Sequence, residues 1–586
     1  MKQGRYVVWL ILLTGIWLTP ASLSAHPFRG EKPNTLAYAV KMEPDQKGLQ
    51  VHIECTWQGT ASGMTKLILP DEWGGQKHLF QGIKNLKVTS PKTSLSETVD
   101  PQIKTISHEP NQLLHIEYDL VRYVQGNPQN ENRYLPMLDN QFFHWIGHTV
   151  WVYPAWSSDK PVSISLEWKN LPKGWALGNS FGVNQRKQTF QATVEEFTHA
   201  SFTGGDFRIQ SGLIGKQKVF TAVRGSWTFS DQSFGKMVRK IIAIERAFWE
   251  DRGTTSFFVP LIPIEVPPNS YSFGGTGLTN SFALFCSTNA ELKDLKGLLA
   301  HEYFHNWNPP KLGRLEEPEP LLYWFSEGFT DYYAYMLLLR GRMISLDEYL
   351  GQYNRFLEDY AVSPVRTESN QQVLADFWNN EAIQKLPYRR GLLLATNWNA
   401  EIRRATSGKY SLDTVMRDLV RAAQGQQVVL TAKLISQAVS RYAGRDVFPD
   451  IQRYVEKGEL IPLDKEAFGP DIQLETKDIP TFELGFHLDT LLEKKQIAGV
   501  IPTSAAFRAG LRDGQPVVRR RPIYLNDPAQ PVEITVRENG QEQTIRYLPE
   551  GPKQSIPYLK LRPAINEAER ERALRWLVAV HPPDKN

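Results

Sequence analysis

The chain has 586 residues, of which 41% are hydrophobic and 22% are charged, and both fractions are typical of globular proteins. A chain of this length is expected to form about two to four domains with ample core. The formal net charge is +4 at pH 7, and it falls to about +2 if the N-terminus is cleaved and takes two basic residues with it. A charge so close to neutral gives no reason to propose a nucleic-acid partner.

The N-terminus has the pattern of a secretory signal. Lys2 and Arg5 form a basic region, residues 7–18 form an apolar run, and residues 22–25 offer a small-residue cleavage site. The apolar run is short for a bilayer span. We therefore predict that residues 1–25 are a cleaved signal peptide, which leaves no stable membrane span, with an uncleaved anchor as the alternative.

The chain contains two cysteines, Cys55 and Cys286. They fall in different predicted domains, so a disulfide between them is possible but not expected. An exported protein with so few cysteines suits the bacterial periplasm, where we expect this chain to act.

Residues 26–210 have the pattern of strands. Segments 49–56, 113–120 and 162–168 alternate apolar and polar residues, and turn-forming clusters separate them. This region is predicted to form an antiparallel β-sandwich domain. His144 and His148 have helix-like spacing but lie in strand-like sequence without an intervening Glu, which favours structural roles for both.

The pattern changes to helices after residue 210. Ser230 to Asp251 is predicted as a helix with Ser230 as its N-cap, Thr254 to Val266 as a strand, and helices dominate from Ala290 to about residue 460. The change from strands to helices predicts a second domain over residues 211–470.

The segment His301-Glu302-Tyr303-Phe304-His305 lies in a helical run from Ala290 to Trp307, which two prolines end. Residues four apart share a helix face, so His301 and His305 can direct two imidazoles at one point. Zinc with three protein ligands keeps its fourth position for a water molecule, whose pKa it lowers to about 7. Glu302 is then placed to act as general base.

Glu327 is the predicted third ligand. It follows His305 by 22 residues and lies on a predicted helix from Ser326 to Leu339. Asp331 lies one helical turn further on. Two interpretations of Asp331 stay open, a carboxylate that orients a ligand histidine and a solvated carboxylate on the helix face.

The sequences HEYFHNWN and WFSEGFTDYY resemble the motifs of the glycyl aminopeptidase family of gluzincin metallopeptidases. That family carries HExxHxWN, W-x-x-E-G-x-T-x-Y-Y and a C-terminal PDZ domain. The resemblance implies a zinc peptidase acting on peptide or protein substrates, with a thermolysin-like, mostly helical catalytic domain over residues 211–470. The expected fold class is α+β and multidomain.

Tyr388, in the segment Leu386-Pro387-Tyr388-Arg389-Arg390-Gly391, resembles the tyrosine of the P-Y-x-K-G element of aminopeptidases and leukotriene hydrolase. The resemblance implies that its phenol donates a hydrogen bond to the oxyanion. Arg390 stands in place of the usual lysine. A packing tyrosine is the alternative.

The segment Gly274-Gly275-Thr276-Gly277 has the position of the G-G-x-E-H segment of the family, in which the Glu holds the free amine of the substrate. Gly277 replaces that Glu, and a glycine cannot pair with an ammonium, so the sequence leaves strict aminopeptidase action open. The four residues are predicted to bind substrate, because glycines allow its backbone to approach closely. Residues 280–285 are either an edge strand that pairs with an extended peptide or a core strand after a turn.

Residues 478–550 resemble a PDZ domain, with Glu483-Leu484-Gly485-Phe486 in the position of the carboxylate-binding loop. Between Val518 and Pro531 there is no room for the helix that normally borders the peptide groove. The region is therefore either a peptide-binding domain or a structural module. Residues 551–586 are predicted to be a tail, with a short amphipathic helix from Glu567 to Val580.

Together these features predict an exported zinc metallopeptidase, with the choice between aminopeptidase and endopeptidase left open. A zinc enzyme that opens a small substrate such as an epoxide is a second interpretation. A peptide-binding or chaperone-like periplasmic protein with little or no turnover is a third, although every expected ligand and the base are present.

Overall fold

The computed structural model describes residues 35–578 except for 47, 124–126, 130–131, 156–159, 254–255, 268–269, 526 and 539. The predicted signal peptide lies outside the described residues. The chain forms two compact units. The first contains residues up to 316 together with 330–343 and 414–431, and the second contains 317–329, 344–413 and the remainder from 432.

The first unit begins with strands and one short helix. In chain order these are β1 (Thr35–Asp45), β2 (Gly48–Gln58), β3 (Met64–Ile68), β4 (Ile83–Val88), β5 (Ser94–Glu97), β6 (Ile103–Ser107), β7 (Leu113–Leu120), β8 (Met137–Leu138), β9 (Phe142–Ile146), β10 (Tyr153–Pro154), β11 (Val162–Lys169), β12 (Ala176–Asn179), β13 (Gly182–Val183), β14 (Lys187–Ala192), α1 (Val194–Thr198) and β15 (Ser201–Gly205).

These strands form three sheets, with the orders β14-β11-β1-β2-β7-β4, β10-β3-β6-β5 and β13-β12-β15-β9-β8. Burial alternates along β1, β2, β7 and β11, so one face of the six-stranded sheet packs on an apolar core and the other is partly exposed. The predicted all-antiparallel arrangement is wrong in one place, since β1 and β11 are parallel. Alternation determines which side chains are buried, but it does not reveal the direction of the neighbouring strand.

The first unit continues with a mixed sheet and two helices. They are β16 (Arg208–Ile214), β17 (Gln217–Val223), α2 (Asp231–Trp249), β18 (Phe257–Ile264), β19 (Phe273–Leu278), β20 (Ser281–Ser287), α3 (Leu292–Phe304) and β21 (Arg314–Leu315). The sheet order is β16-β17-β18-β20-β19, which makes β19 an edge strand. Ser230 caps α2 through its side chain, as predicted. The predicted domain boundary after residue 210 falls within β16.

After β21 the chain forms further helices and strands up to its C-terminal helix. They are α4 (Tyr323–Arg340), α5 (Leu346–Val362), α6 (Asn370–Asp376), α7 (Glu381–Ala405), α8 (Leu412–Ala423), β22 (Val429–Leu430), α9 (Ala432–Ala443), α10 (Phe448–Asp450), β23 (Ile472–Phe482), α11 (Leu488–Lys494), α12 (Ala505–Ala509), β24 (Val517–Arg520), β25 (Val532–Glu538), β26 (Gln541–Tyr547), β27 (Glu550–Leu561) and α13 (Glu567–Val578). The unit boundary falls inside α4, so this continuous helix belongs to both units.

The region predicted to resemble a PDZ domain contains the two-stranded sheet β23-β27 and the three-stranded sheet β24-β25-β26 around a small apolar core. Among the described residues between β24 and β25, none is helical, in agreement with the short sequence there. The assignment to the PDZ class stays a prediction. The tail helix α13 begins at the predicted Glu567, and residues 579–580 lie outside the described part.

Cys55 and Cys286 are both buried and free. Within the described ranges, every helix is too short or too polar to cross a bilayer.

Candidate metal centre

Helix α3 carries the first two predicted ligands. It begins with a capping box between Glu291 and Asp294, and His305 is its C-cap residue. The helix is shorter than the predicted run of residues 290–307, because the chain turns before Pro309. His301 and His305 are both buried, and their rings lie 4.8 Å apart between centroids.

The partners of the two imidazoles determine which nitrogens face the centre. His301 Nδ1 lies 2.8 Å from Asp331 Oδ1, and His305 Nδ1 lies 2.8 Å from the backbone oxygen of Asn308. A carbonyl or carboxylate oxygen can only accept, so each Nδ1 is the donor and each neutral Nε2 carries a lone pair. The two Nε2 atoms are 3.1 Å apart. A cation bound by both nitrogens would take the place of this contact between them.

Helix α4 supplies the third predicted ligand. His301, His305 and Glu327 each offer a ligand atom within 4.8 Å of those of the other two, and all three residues are buried. Asp331 lies one turn after Glu327 on the same helix, so its contact with His301 also positions Glu327. Two imidazoles and a carboxylate form a ligand set typical of zinc with an open position. The residues therefore fit a zinc ion.

Asp331 faces the ring of His301, in a position from which its carboxylate can orient that ring. Its carboxylate is mostly buried and faces His301. Asn308 serves His305 in the same way through its backbone, and its side-chain amide donates to Thr330 Oγ1 at 3.1 Å. Asn308 is the last residue of the motif HEYFHNWN, but the sequence alone did not indicate this role for it.

Glu302, the predicted base, is buried next to His301 on α3. Tyr134 lies close enough to interact with it electrostatically. Burial raises the pKa of the Tyr134 phenol above its ordinary value, the nearby Arg133 guanidinium opposes this rise, and the Glu302 carboxylate adds to it. Neither Arg133 nor Tyr134 was identified from the sequence, because no motif surrounds them and only the fold brings them here.

The predicted substrate segment, Gly274 to Gly277, lies in the edge strand β19. Tyr134 donates a hydrogen bond to the backbone oxygen of Gly275 at 3.1 Å, and a Cβ on Gly274 would lie 2.8 Å from a guanidinium nitrogen of Arg133. The edge-strand interpretation of residues 280–285 is wrong. Those residues enter β20, which pairs with β18 on one side and β19 on the other.

Tyr388 is buried in α7. Three residues later, Gly391 meets the first turns of α4, since a Cβ on Gly391 would lie 1.7 Å from the backbone oxygen of Trp324. Gly328 on α4 also lies against α7, because a Cβ on Gly328 would be 2.4 Å from Gly391 Cα. The two helices therefore cross with their backbones in contact, next to Glu327 on α4.

Arg390, which stands in place of a lysine, has a structural role. It is buried and donates to the backbone oxygens of Arg366 and Glu368. His144 is also structural, with its Nδ1 2.8 Å from Thr203 Oγ1, and the half-buried His148 packs against the rings of Trp73 and His199.

Comparisons with known proteins agree with this site. Residues 294–389, from α3 to the tyrosine in α7, match the family model described as M61 glycyl aminopeptidase. None of the curated proteins matches the sequence.

The fold is similar to solved structures at low sequence identity. An aminopeptidase N family protein from Idiomarina loihiensis is 16% identical, with a TM-score of 0.68 over 92% of this chain and 100% of that one. An M1 zinc metallopeptidase from Deinococcus radiodurans is 13% identical, with a TM-score of 0.45 over 74% of this chain and 96% of that one. The part of the chain that carries α3, α4 and the start of α7 is therefore similar to the M61 glycyl aminopeptidase family.

Proposed function

We propose that this protein is a zinc-dependent peptidase in which His301, His305 and Glu327 hold the metal. The observation that carries the proposal is the orientation of the two histidines. Asp331 and the Asn308 backbone accept from both Nδ1 atoms, and both Nε2 lone pairs point to one place beside Glu327. Bound zinc supplies a Lewis acid and a water molecule of lowered pKa.

Glu302 is the proposed general base. Its carboxylate takes a proton from water as the water oxygen attacks the scissile carbonyl, and it then passes that proton to the leaving amine. Burial of Glu302 keeps bulk water from competing for the proton. Family resemblance assigns Tyr388 as the hydrogen-bond donor to the developing oxyanion. Tyr388→Phe should lower kcat about a hundredfold with little change in KM, and an unchanged kcat would exclude that role.

Strand β19 is the proposed binding edge for the substrate backbone. Its inner edge pairs with β20, and an extended peptide can pair with its other edge. Gly277 offers no carboxylate to a substrate ammonium. We therefore propose that a free N-terminus is not required, and that peptides with blocked N-termini are also cut.

The assignment of the base is tested with Glu302→Gln. The amide is similar in size but cannot take the proton, so kcat should fall by about two to four orders of magnitude while bound zinc is retained. Zinc content by mass spectrometry and kcat on the same preparation provide the test. Glu493→Gln, an exposed change on α11, is the matched control. Unchanged hydrolysis by zinc-loaded Glu302→Gln would refute the assignment.

The choice between exopeptidase and endopeptidase is tested with a peptide library in free and N-acetylated forms, digested and read by mass spectrometry. We expect both forms to be cut at similar rates. Refusal of the acetylated peptides would show that an amine is recognised elsewhere. Binding without cleavage across the library would instead favour the peptide-binding, chaperone-like alternative.

Export to a bacterial periplasm is proposed from the N-terminal sequence pattern, with removal of residues 1–25. N-terminal sequencing of the protein recovered from a periplasmic fraction tests this. A mature chain that still begins at Met1 would contradict it.

A further inference from the structure

A second group of metal-ligating side chains lies far from α3 in the sequence, on the partly exposed face of the six-stranded sheet. His52 and Glu54 belong to β2, and Glu117 and Asp119 belong to β7. The register pairs His52 with Asp119 and Glu54 with Glu117. Alternate residues of a strand share a face, so the four side chains form a compact square on that face.

The imidazole in this square is already oriented. His52 Nδ1 lies 2.7 Å from Asp119 Oδ1, and His52 Nε2 lies 3.5 Å from Glu117 Oε2. Because Nδ1 faces the carboxylate of Asp119, Nε2 is the ring nitrogen on the side of the glutamates. A carboxylate that orients a histidine through its second nitrogen is the usual arrangement behind a metal-binding imidazole.

We propose that His52, Glu54 and Glu117 form a second site for a divalent transition-metal ion such as zinc, with Asp119 as the residue that orients His52. One ligand atom of each of the three residues lies within 4.8 Å of those of the other two. Imidazole with two carboxylates favours zinc or copper over magnesium, which prefers oxygen ligands alone.

The square contains two like charges that need positive charge nearby. Glu54 lies directly opposite Glu117, and like charges in this position destabilise a sheet. Three lysines now neutralise the pair. Lys41 and Lys169 contact Glu54, and Lys87 contacts Glu117. Flexible lysine side chains can move away, so that a metal ion takes over the neutralisation.

The site is also accessible from solvent. His52 and Asp119 line a cavity of about 490 Å³ on the same sheet face, together with Lys41, Glu43 and Arg122 among others. Of the three proposed ligands, His52 lines this cavity, so the cavity opens the His52 side of the site to solvent.

The test is zinc binding to the full chain, by equilibrium dialysis and by calorimetric titration. Wild-type protein should bind one zinc ion more than His52→Ala, and His301→Ala should keep the ion that His52→Ala loses. Glu117→Gln should lower the zinc affinity of the second site at least about tenfold. His115→Ala, a neighbouring histidine on β7 outside the square, is the control and should bind as wild type does.

Peptidase activity and circular dichroism of His52→Ala should match the wild type, because the square lies on a partly exposed sheet face. Zinc binding by His52→Ala that equals the wild type in amount and affinity would overturn the proposal. Loss of all bound zinc in His301→Ala would do the same, and would show the square to be a salt-bridged network only. Both outcomes are independent of whether His301 serves the peptidase.

Discussion

At the scale of single residues, the polar partners of the ligands determine how well the metal is held. Asp331→Asn replaces the carboxylate that accepts from His301 Nδ1 at 2.8 Å. The amide carries no charge and can present its NH₂ group to the ring, so the preferred tautomer and ring orientation are lost. We expect zinc affinity to fall about ten- to a hundredfold.

This change is measured by competition with a chromophoric chelator. Asp489→Asn, on α11, serves as the matched control and should leave zinc affinity unchanged. If Asp331→Asn held zinc as tightly as the wild type, the contact with His301 would not matter for metal binding.

At the scale of helices and strands, the crossing of α4 and α7 should tolerate no added atoms. Gly391→Ala would place a Cβ 1.7 Å from the Trp324 backbone oxygen, and that oxygen cannot move without the first turn of α4. We expect a loss of about 3 kcal/mol or more in the free energy of unfolding, with lower zinc content because Glu327 lies in the same turns.

Gly351 on α5 provides the contrast, because a Cβ there would meet nothing within 4 Å. Gly351→Ala should increase the free energy of unfolding by about 0.5–1 kcal/mol, since alanine favours the helix. Denaturant titrations of both variants test the pair. Equal effects of the two substitutions would contradict the close crossing.

The helices around the candidate metal site show which features could be predicted from the sequence. Helical periodicity, caps and prolines are local signals, and they predicted α2, α3 and α4 to within a few residues. The spacing of His301 and His305 is local as well, so their shared face could be predicted. Glu327 was predicted as the third ligand from its place 22 residues after His305 on the next predicted helix. No local signal sets the angle between two helices, so its distance from the two histidines could not be predicted.

Contacts between distant segments could not be predicted in this way. The pairing of β1 with β11 is parallel although both strands alternate like antiparallel ones. The sequence left residues 280–285 open as an edge strand or a core strand, and in the structure they enter β20, whereas the preceding glycines occupy the edge strand β19. Arg133 and Tyr134 reach β19 from a loop whose sequence carries no motif.

At the scale of the whole molecule, the metal should act as a stabilising ligand. It binds the folded chain, in which α3 and α4 hold the ligands together, and not the unfolded chain, in which the ligands are scattered over residues 301–327. Free zinc at a hundred times its dissociation constant adds about 2.7 kcal/mol to the free energy of unfolding. Removing zinc with a chelator should therefore lower Tm by a few degrees and abolish peptide hydrolysis.

Two variants separate the contributions to this shift. At a free zinc concentration too low to fill the second site at His52, His301→Ala should unfold at the same Tm with and without chelator. Under the same conditions, His52→Ala should show the full shift in Tm. Wild-type activity and Tm should both return when zinc is added back. Because Glu327 is a proposed ligand on α4, metal loss should loosen α4 as well as α3. If the hydrogen-exchange rates of α4 amides were the same with and without chelator, this expectation would be contradicted.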